Sequence, residues 1–219
     1  MSTEHDKLKY QSHEPRDPDA FEADVIVSPD TRRDDRIPPG QSRTRKWPVL
    51  HAGVVPSVPV DGWELEVFGL VETPLRLSWD EFQSLPRAKV YADFHCVTRW
   101  SRLDNVWEGV PVRQLLERAG IASQAKYVIL HAHDDGWTTN LPLPDLIADD
   151  ALLTDTHDGL PLSPDHGGPV RAIVPQLYAW KSAKWIRAIE LSAVDRPGFW
   201  ERGGYHNHGD PWREERFGG

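Results

Sequence analysis

The chain has 219 residues, a formal net charge of −9, 39% hydrophobic residues and a single cysteine, Cys96. That length suits one large domain or two small ones, and the acidic balance excludes a non-specific nucleic-acid binder, which needs basic patches. One cysteine excludes an intrachain disulfide, and no apolar run in the sequence approaches the roughly 20 residues of a spanning helix.

Residues 1–43 are dominated by charged, polar and proline residues, with little apolar content beyond Phe21, Val25, Ile26 and Val27. Such a segment buries too little surface to offset its ordering entropy, so it is expected to be extended or partly disordered: a solubilising arm, or one that wraps the domain or a partner. Arg32 and Arg33 are followed by Asp34, Asp35 and Arg36 rather than an apolar core, so neither a signal peptide nor a twin-arginine segment is read here and the cytoplasm is the expected compartment. Residues 44–219 are expected to form a single domain that includes a C-terminal tail over 197–219.

Within that domain WELEVFGLV (63–71) alternates as a strand does, and Ser78 with Glu81 makes a capping box that opens a short helix before Pro86. In AKVYADFHC (88–96) the residues Val90, Ala92, Phe94 and Cys96 share one face by the period of two, so the thiol ends an apolar, inward-facing row. The bland reading is a buried cysteine acting as a small hydrophobe. Against it, His95, Arg99 and Arg102 bring positive charge near the sulfur, which favours the thiolate that binds metals or attacks carbon. One thiolate cannot hold a structural zinc, which needs about four Cys or His ligands, so a metal here brings most of its own ligands. Pro111 suits the first turn of a helix carrying Leu115, Leu116 and Ala119 and stopped by Gly120. KYVILHAH (126–133) and WTTNLPL (137–143) read as a strand pair joined by an Asp-Asp-Gly turn. His131 and His133 share a strand face.

The segment HGGPVRAIVPQLYAWKSAKWIRAIEL (166–191) combines a His-Gly-Gly turn, a β-run, a loop carrying Lys181, Ser182 and Lys184, and a second β-run. Cations, a hydroxyl and glycines that admit backbone N–H groups are what a phosphate requires, although the spacing fits neither a Walker loop nor a dinucleotide fingerprint. From the residues alone this is an anion site of unassigned type, or a set of solvated charges. Ten tryptophans are many for this length; Trp47, Trp100, Trp107, Trp180 and Trp185 fall near these motifs, as core filling first and as a funnel wall second. His206, His208 and Asp210 are read as structural hydrogen-bonding groups. The short strands with brief helices between them give an α+β fold: a mixed β-sheet or distorted barrel.

HCVTRWSRLDNVWEGVPV, HGGPVRAIVP and YAWKSAKWIRAIEL resemble the core motifs of the sulfite-oxidase-type molybdopterin oxidoreductases, and the terminal GFWERGGYHNHGDPWREERF resembles their short, stand-alone bacterial and archaeal branch. The likeness runs from about residue 45 to 217. It implies a molybdopterin-domain fold and a molybdenum–molybdopterin cofactor, in which Cys96 supplies the one protein thiolate to the metal. It further implies that His166 and Arg171 hold the pterin, with Ser182, Lys184 and the adjacent Lys181 beside them; that RKWPVLHAG (45–53) touches it through His51; that His131 lines its site; and that Arg99 attracts substrate. The reaction implied is two-electron oxygen-atom transfer, with electrons exchanged with a separate partner. Asp155 stands where animal sulfite oxidases carry a catalytic tyrosine, so neutral S-oxides or N-oxides are expected to be preferred over the sulfite dianion. The alternatives are a non-catalytic molybdopterin-carrying or protein-binding module, and a cysteine-nucleophile hydrolase, which needs a histidine base within reach of Cys96 and is weakened because the adjacent His95 is expected on the opposite strand face.

Overall fold

The computed structural model describes residues 16–134 and 136–218. Among them, strands β1 (Val25–Val27), β5 (Ala88–Cys96), β6 (Trp100–Pro111), β9 (Leu152–His157) and β10 (Leu160–Pro161) lie side by side in that order, with β2 (Ser42–Arg43) on β6 and β11 (Arg171–Ile173) on β9. A second sheet runs β4 (Leu75–Ser78), β3 (Glu64–Gly69), β12 (Ile186–Ser192), β7 (Tyr127–Ala132) and β8 (Thr138–Pro142). Parallel pairs, such as β3 with β12, and antiparallel pairs, such as β5 with β6, occur in both. Neither sheet closes, so of the two predicted arrangements the mixed sheet is the one formed and the barrel is not.

The helices are short: α1 (Trp79–Gln83), α2 (Val112–Ala119), α3 (Leu143–Leu146) and α4 (Phe199–Arg202). No helix among the described residues is long and apolar enough to cross a membrane. The predicted capping box opens α1: Glu81 N–H donates to Ser78 Oγ at 3.4 Å and Ser78 N–H to Glu81 Oε2 at 2.8 Å. Leu115, Leu116 and Ala119 face inward from α2, and Gly120, at φ 71°, ends it. These side chains pack with Trp63, Leu65, Val67, Leu130 and Ile189 in the largest core cluster. Burying each such Leu or Val contributes about 1.5–3 kcal/mol relative to leaving it exposed.

Strand β5 departs from the one-sided expectation. Val90, Ala92, Phe94 and Cys96 face inward as predicted, but Tyr91, Asp93 and His95 on the other face are equally buried. The cover on that face is the N-terminal arm. Val25–Val27 pair in parallel with Lys89–Tyr91, Arg36 reaches Asp93 at 2.7 Å and Asp104 at 3.0 Å, and Ser28 Oγ donates to Asp150 at 2.6 Å. The described part of the arm is therefore folded onto the domain, as in the wrapping alternative of the sequence reading. Counting apolar residues undervalued it because backbone pairing and buried ion pairs, not apolar area, hold it in place. Residues 1–15 of the arm lie outside the described residues.

Candidate active site

Cys96 ends β5 at a tight turn back into β6. Arg99 N–H donates to the Cys96 carbonyl at 3.0 Å, and Arg99 takes a positive φ of 71°. The thiol is buried, packs with Val97, Tyr178 and Trp180, and accepts a hydrogen bond from Thr98 Oγ1 at 3.2 Å. Burial pushes its pKa up, while Thr98, Arg216 and Lys184 oppose that rise. The sulfur faces a cavity of about 210 Å3.

Arg171, Ser182 and Lys184 line the same cavity. Arg171 leaves β11 fully buried, its Nη1 donating to the His166 carbonyl at 2.9 Å and its Nη2 to the Ser182 carbonyl at 3.0 Å. Its guanidinium lies 5.6 Å from the Trp47 ring and 5.4 Å from Phe94, and no carboxylate is among its partners in the described residues. Burial alone lowers its pKa to about 9. Lys184 donates from Nζ to the Asp165 carbonyl at 2.6 Å; burial, and then the Arg171 charge, lower its pKa to about 7. The lysine stem crosses Gly167, which has φ 98°, and a Cβ there would stand 2.9 Å from the lysine Cβ and Cγ, so glycine is required. Ser182 Oγ accepts from Val174 N–H at 3.0 Å, which leaves its own proton to donate. His51 also lines the cavity, its ring 5.8 Å from that of Trp185.

Other predicted residues lie off the cavity wall. His166 stacks flat on Trp47 at 3.7 Å, so it orients a wall residue and offers its carbonyl to Arg171. His131 sits one residue before the wall residue Ala132 and therefore points the opposite way, its Nε2 3.0 Å from Glu190 Oε2. Lys181 is fully buried, with Nζ held by the Asn140 carbonyl at 2.6 Å, the Asn207 carbonyl at 2.7 Å and Glu201 Oε1 at 2.6 Å. Arg99 is exposed and directs Nη1 toward the Gly40 carbonyl at 3.5 Å. Asp155 is bound by Arg87 at 2.5 Å and Gln83 at 2.6 Å and does not line the cavity. The charge argument built on Asp155 therefore falls; the carboxylate that does line the cavity is Asp134.

The hydrolase alternative loses its base. His95 projects from the opposite face of β5, its Nδ1 lies 2.8 Å from Ser101 Oγ, and burial pushes its pKa down to about 4. Of the tryptophans singled out in the sequence, Trp47, Trp100, Trp180 and Trp185 line the cavity, whereas Trp107 fills the core. Trp137, Trp200 and Tyr205 complete the wall. These three were missed because they arrive from a hairpin end and from the tail, where periodicity carries no signal. His208 bonds Asp145 and Glu215, each at 3.0 Å, as the structural reading expected, and the described residues contain no cluster of His, Cys, Asp and Glu fit to hold a metal by themselves.

A thiol and a buried, carboxylate-free guanidinium on one aromatic-walled cavity fit an anionic cofactor whose metal takes one protein sulfur. Residues 51–200 match the oxidoreductase molybdopterin binding domain. The chain is 51% identical over 191 residues to the uncharacterized oxidoreductase YuiH of Bacillus subtilis, an alignment covering 85% of this chain and 96% of that protein. It is 30% identical over 152 residues to the putative protein-methionine-sulfoxide reductase subunit YedZ1 of Azospira oryzae, covering 69% of this chain and 57% of that one. The sulfane dehydrogenase SoxCD of Paracoccus pantotrophus shares the fold, with a TM-score of 0.59 at 22% identity over 64% of this chain and 40% of that one.

Proposed function

The chain belongs to the oxidoreductases with a molybdopterin-binding domain, and from that premise we propose that it reduces small neutral S-oxides or N-oxides by two-electron oxygen-atom transfer at a molybdenum held through Cys96. The observation that carries this reading is the meeting of the Cys96 thiol with Arg171, Ser182 and Lys184 on one cavity. Arg171 and Lys184 supply the charge, and Ser182 the hydroxyl donor, for the phosphate-bearing pterin; bound there, the cofactor provides the two-electron redox chemistry. The protein's own part is to orient the cofactor, exclude water with its aromatic walls, and select substrate.

Selection follows from the wall. Trp100, Trp137, Trp180, Trp200 and Tyr205 offer apolar faces to a thioether-like group, and Asp134 disfavours a dianion such as sulfite. The relative named as a subunit of a methionine-sulfoxide reductase is consistent with that class. Reduction of an S-oxide consumes two electrons and two protons and releases water, and the electrons come from a separate donor protein.

The test is elemental analysis of the purified chain followed by kcat/KM for dimethyl sulfoxide, methionine sulfoxide and sulfite on the molybdenum-loaded protein. Molybdenum near one per chain and a sulfoxide preference are expected. A sulfite value more than about tenfold higher, roughly 1.4 kcal/mol of transition-state preference, overturns the substrate class. Full loading without turnover of any of the three would favour the non-catalytic carrier.

A further inference from the structure

The turn that carries Cys96 is gripped from both ends of the chain. From the N-terminal arm, Gln41 Nε2 donates to the Cys96 carbonyl at 3.0 Å and Ser42 N–H to the Arg99 carbonyl at 2.9 Å. From the C-terminal tail, Arg216 Nη1 donates to the Val97 carbonyl at 2.9 Å. The same guanidinium ties the two ends together, its Nη2 donating to the Pro39 carbonyl at 3.1 Å while its carbon lies 5.2 Å from the Tyr178 ring. Arg216 is only 5% exposed. Gly40 marks the point of closest approach: at φ 68°, a Cβ there would meet Glu214 Oε1 at 2.5 Å, Arg216 Nη2 at 3.1 Å and Arg99 Nη1 at 3.2 Å.

A tight turn with a non-glycine residue at positive φ does not hold its shape unaided; its surroundings must over-determine it. Here those surroundings are an arm and a tail brought together by one buried arginine, and the tail also delivers Tyr205 to the cavity wall. We propose that the arm and tail form a clasp in which Arg216 and Gln41 are positioning residues for the Cys96 thiol, setting its direction into the cavity through the turn backbone. The chemical consequence rests on Cys96 being the metal ligand; the mechanical one does not.

The test compares Arg216→Gln and Gln41→Ala with Arg202→Gln, a substitution of an exposed tail side chain that bonds the Pro197 carbonyl and does not touch the turn. In the cofactor-free full chain, amide hydrogen exchange over residues 97–99 is expected to quicken about tenfold in the first two and to remain unchanged in the third. In the molybdenum-loaded protein, the thiolate-to-metal absorption band is expected to shift in the first two only, a change that mere loss of stability does not produce. Exchange over 97–99 within twofold of the parent in folded Arg216→Gln, or an equal increase in Arg202→Gln, overturns the clasp. If Arg216→Gln does not fold, Gln41→Ala, which removes a smaller and uncharged side chain, decides alone. If the parent chain takes up no molybdenum, the ligand reading fails while the exchange comparison still decides the clasp.

Discussion

At the residue scale the thiol and the two cations make separable predictions. Serine nearly matches cysteine in volume but is a harder ligand of far higher pKa, so Cys96→Ser is expected to keep the fold and lose metal-centred turnover; undiminished S-oxide or sulfite turnover would remove Cys96 as the ligand. Lys184 carries a pH signature, because its amine has been pushed down to about 7. An anion seated against the amine raises that pKa, so binding takes up a proton. Affinity is full below about pH 7 and declines above it, by at most about tenfold per pH unit, until the bound-state pKa is passed. Sulfate does not itself titrate in this range, so calorimetry with sulfate on cofactor-free protein from pH 6 to 9 reads the effect, and Lys184→Met should flatten the profile.

At the element scale, the 3-10 turn Ala179–Lys181 is bolted to β8 and α4 by a buried ion pair. Glu201 accepts from Lys181, from Trp180 Nε1 at 2.8 Å and from Thr139 Oγ1 at 2.8 Å, with its side chain 1% exposed. Removing the ammonium alone strands a carboxylate with almost no solvent, so Lys181→Met is expected to cost about 3–5 kcal/mol in denaturant unfolding. Adding Glu201→Gln should recover part of that loss, because the double variant no longer buries an unpaired charge. A purely additive double variant would show that the two side chains do not act as a pair. The same pair anchors Trp180, so the single variant should also loosen one wall of the cavity.

At the scale of the whole molecule the arm is a structural layer. Asp93 is 1% exposed at its side chain and is held by Arg36 from the arm. Arg36→Gln is expected to lower Tm by about 10 °C or more, from the cost of an uncompensated buried carboxylate spread over a chain of this size. Burial already raises the Asp93 pKa, and loss of the guanidinium raises it further. Above about pH 4, the ordinary Asp value, both folded forms hold a proton that the unfolded chain has released; the parent's Asp93 gives its proton up first, so the deficit grows as pH rises through the parent's folded-state value. Thermal melts at pH 4 and pH 7 check the sign, and an equal deficit at both would show that Asp93 is not the group left unpaired.

The sequence by itself determined the local and the periodic. The capping box at Ser78, the stop at Gly120 and the inward row ending at Cys96 are set by residues within a few positions of one another, where backbone chemistry and spacing decide the outcome, and Arg171, Ser182 and Lys184 were legible together because one segment of the chain carries them all. Tertiary structure alone decided what long-range pairing controls. The second buried face of β5 exists because an arm poor in apolar residues pairs its backbone and Arg36 with that face. Lys181 and His131 belong to the right segments, but Lys181 is held by Glu201, Asn140 and Asn207, and His131 takes the outward side of its strand. Asp155 likewise answers to Arg87, 68 positions away, and leaves Asp134 as the carboxylate on the cavity wall. An ionic side chain goes where its charge is compensated, and partners distant in sequence leave no periodic trace of where that is.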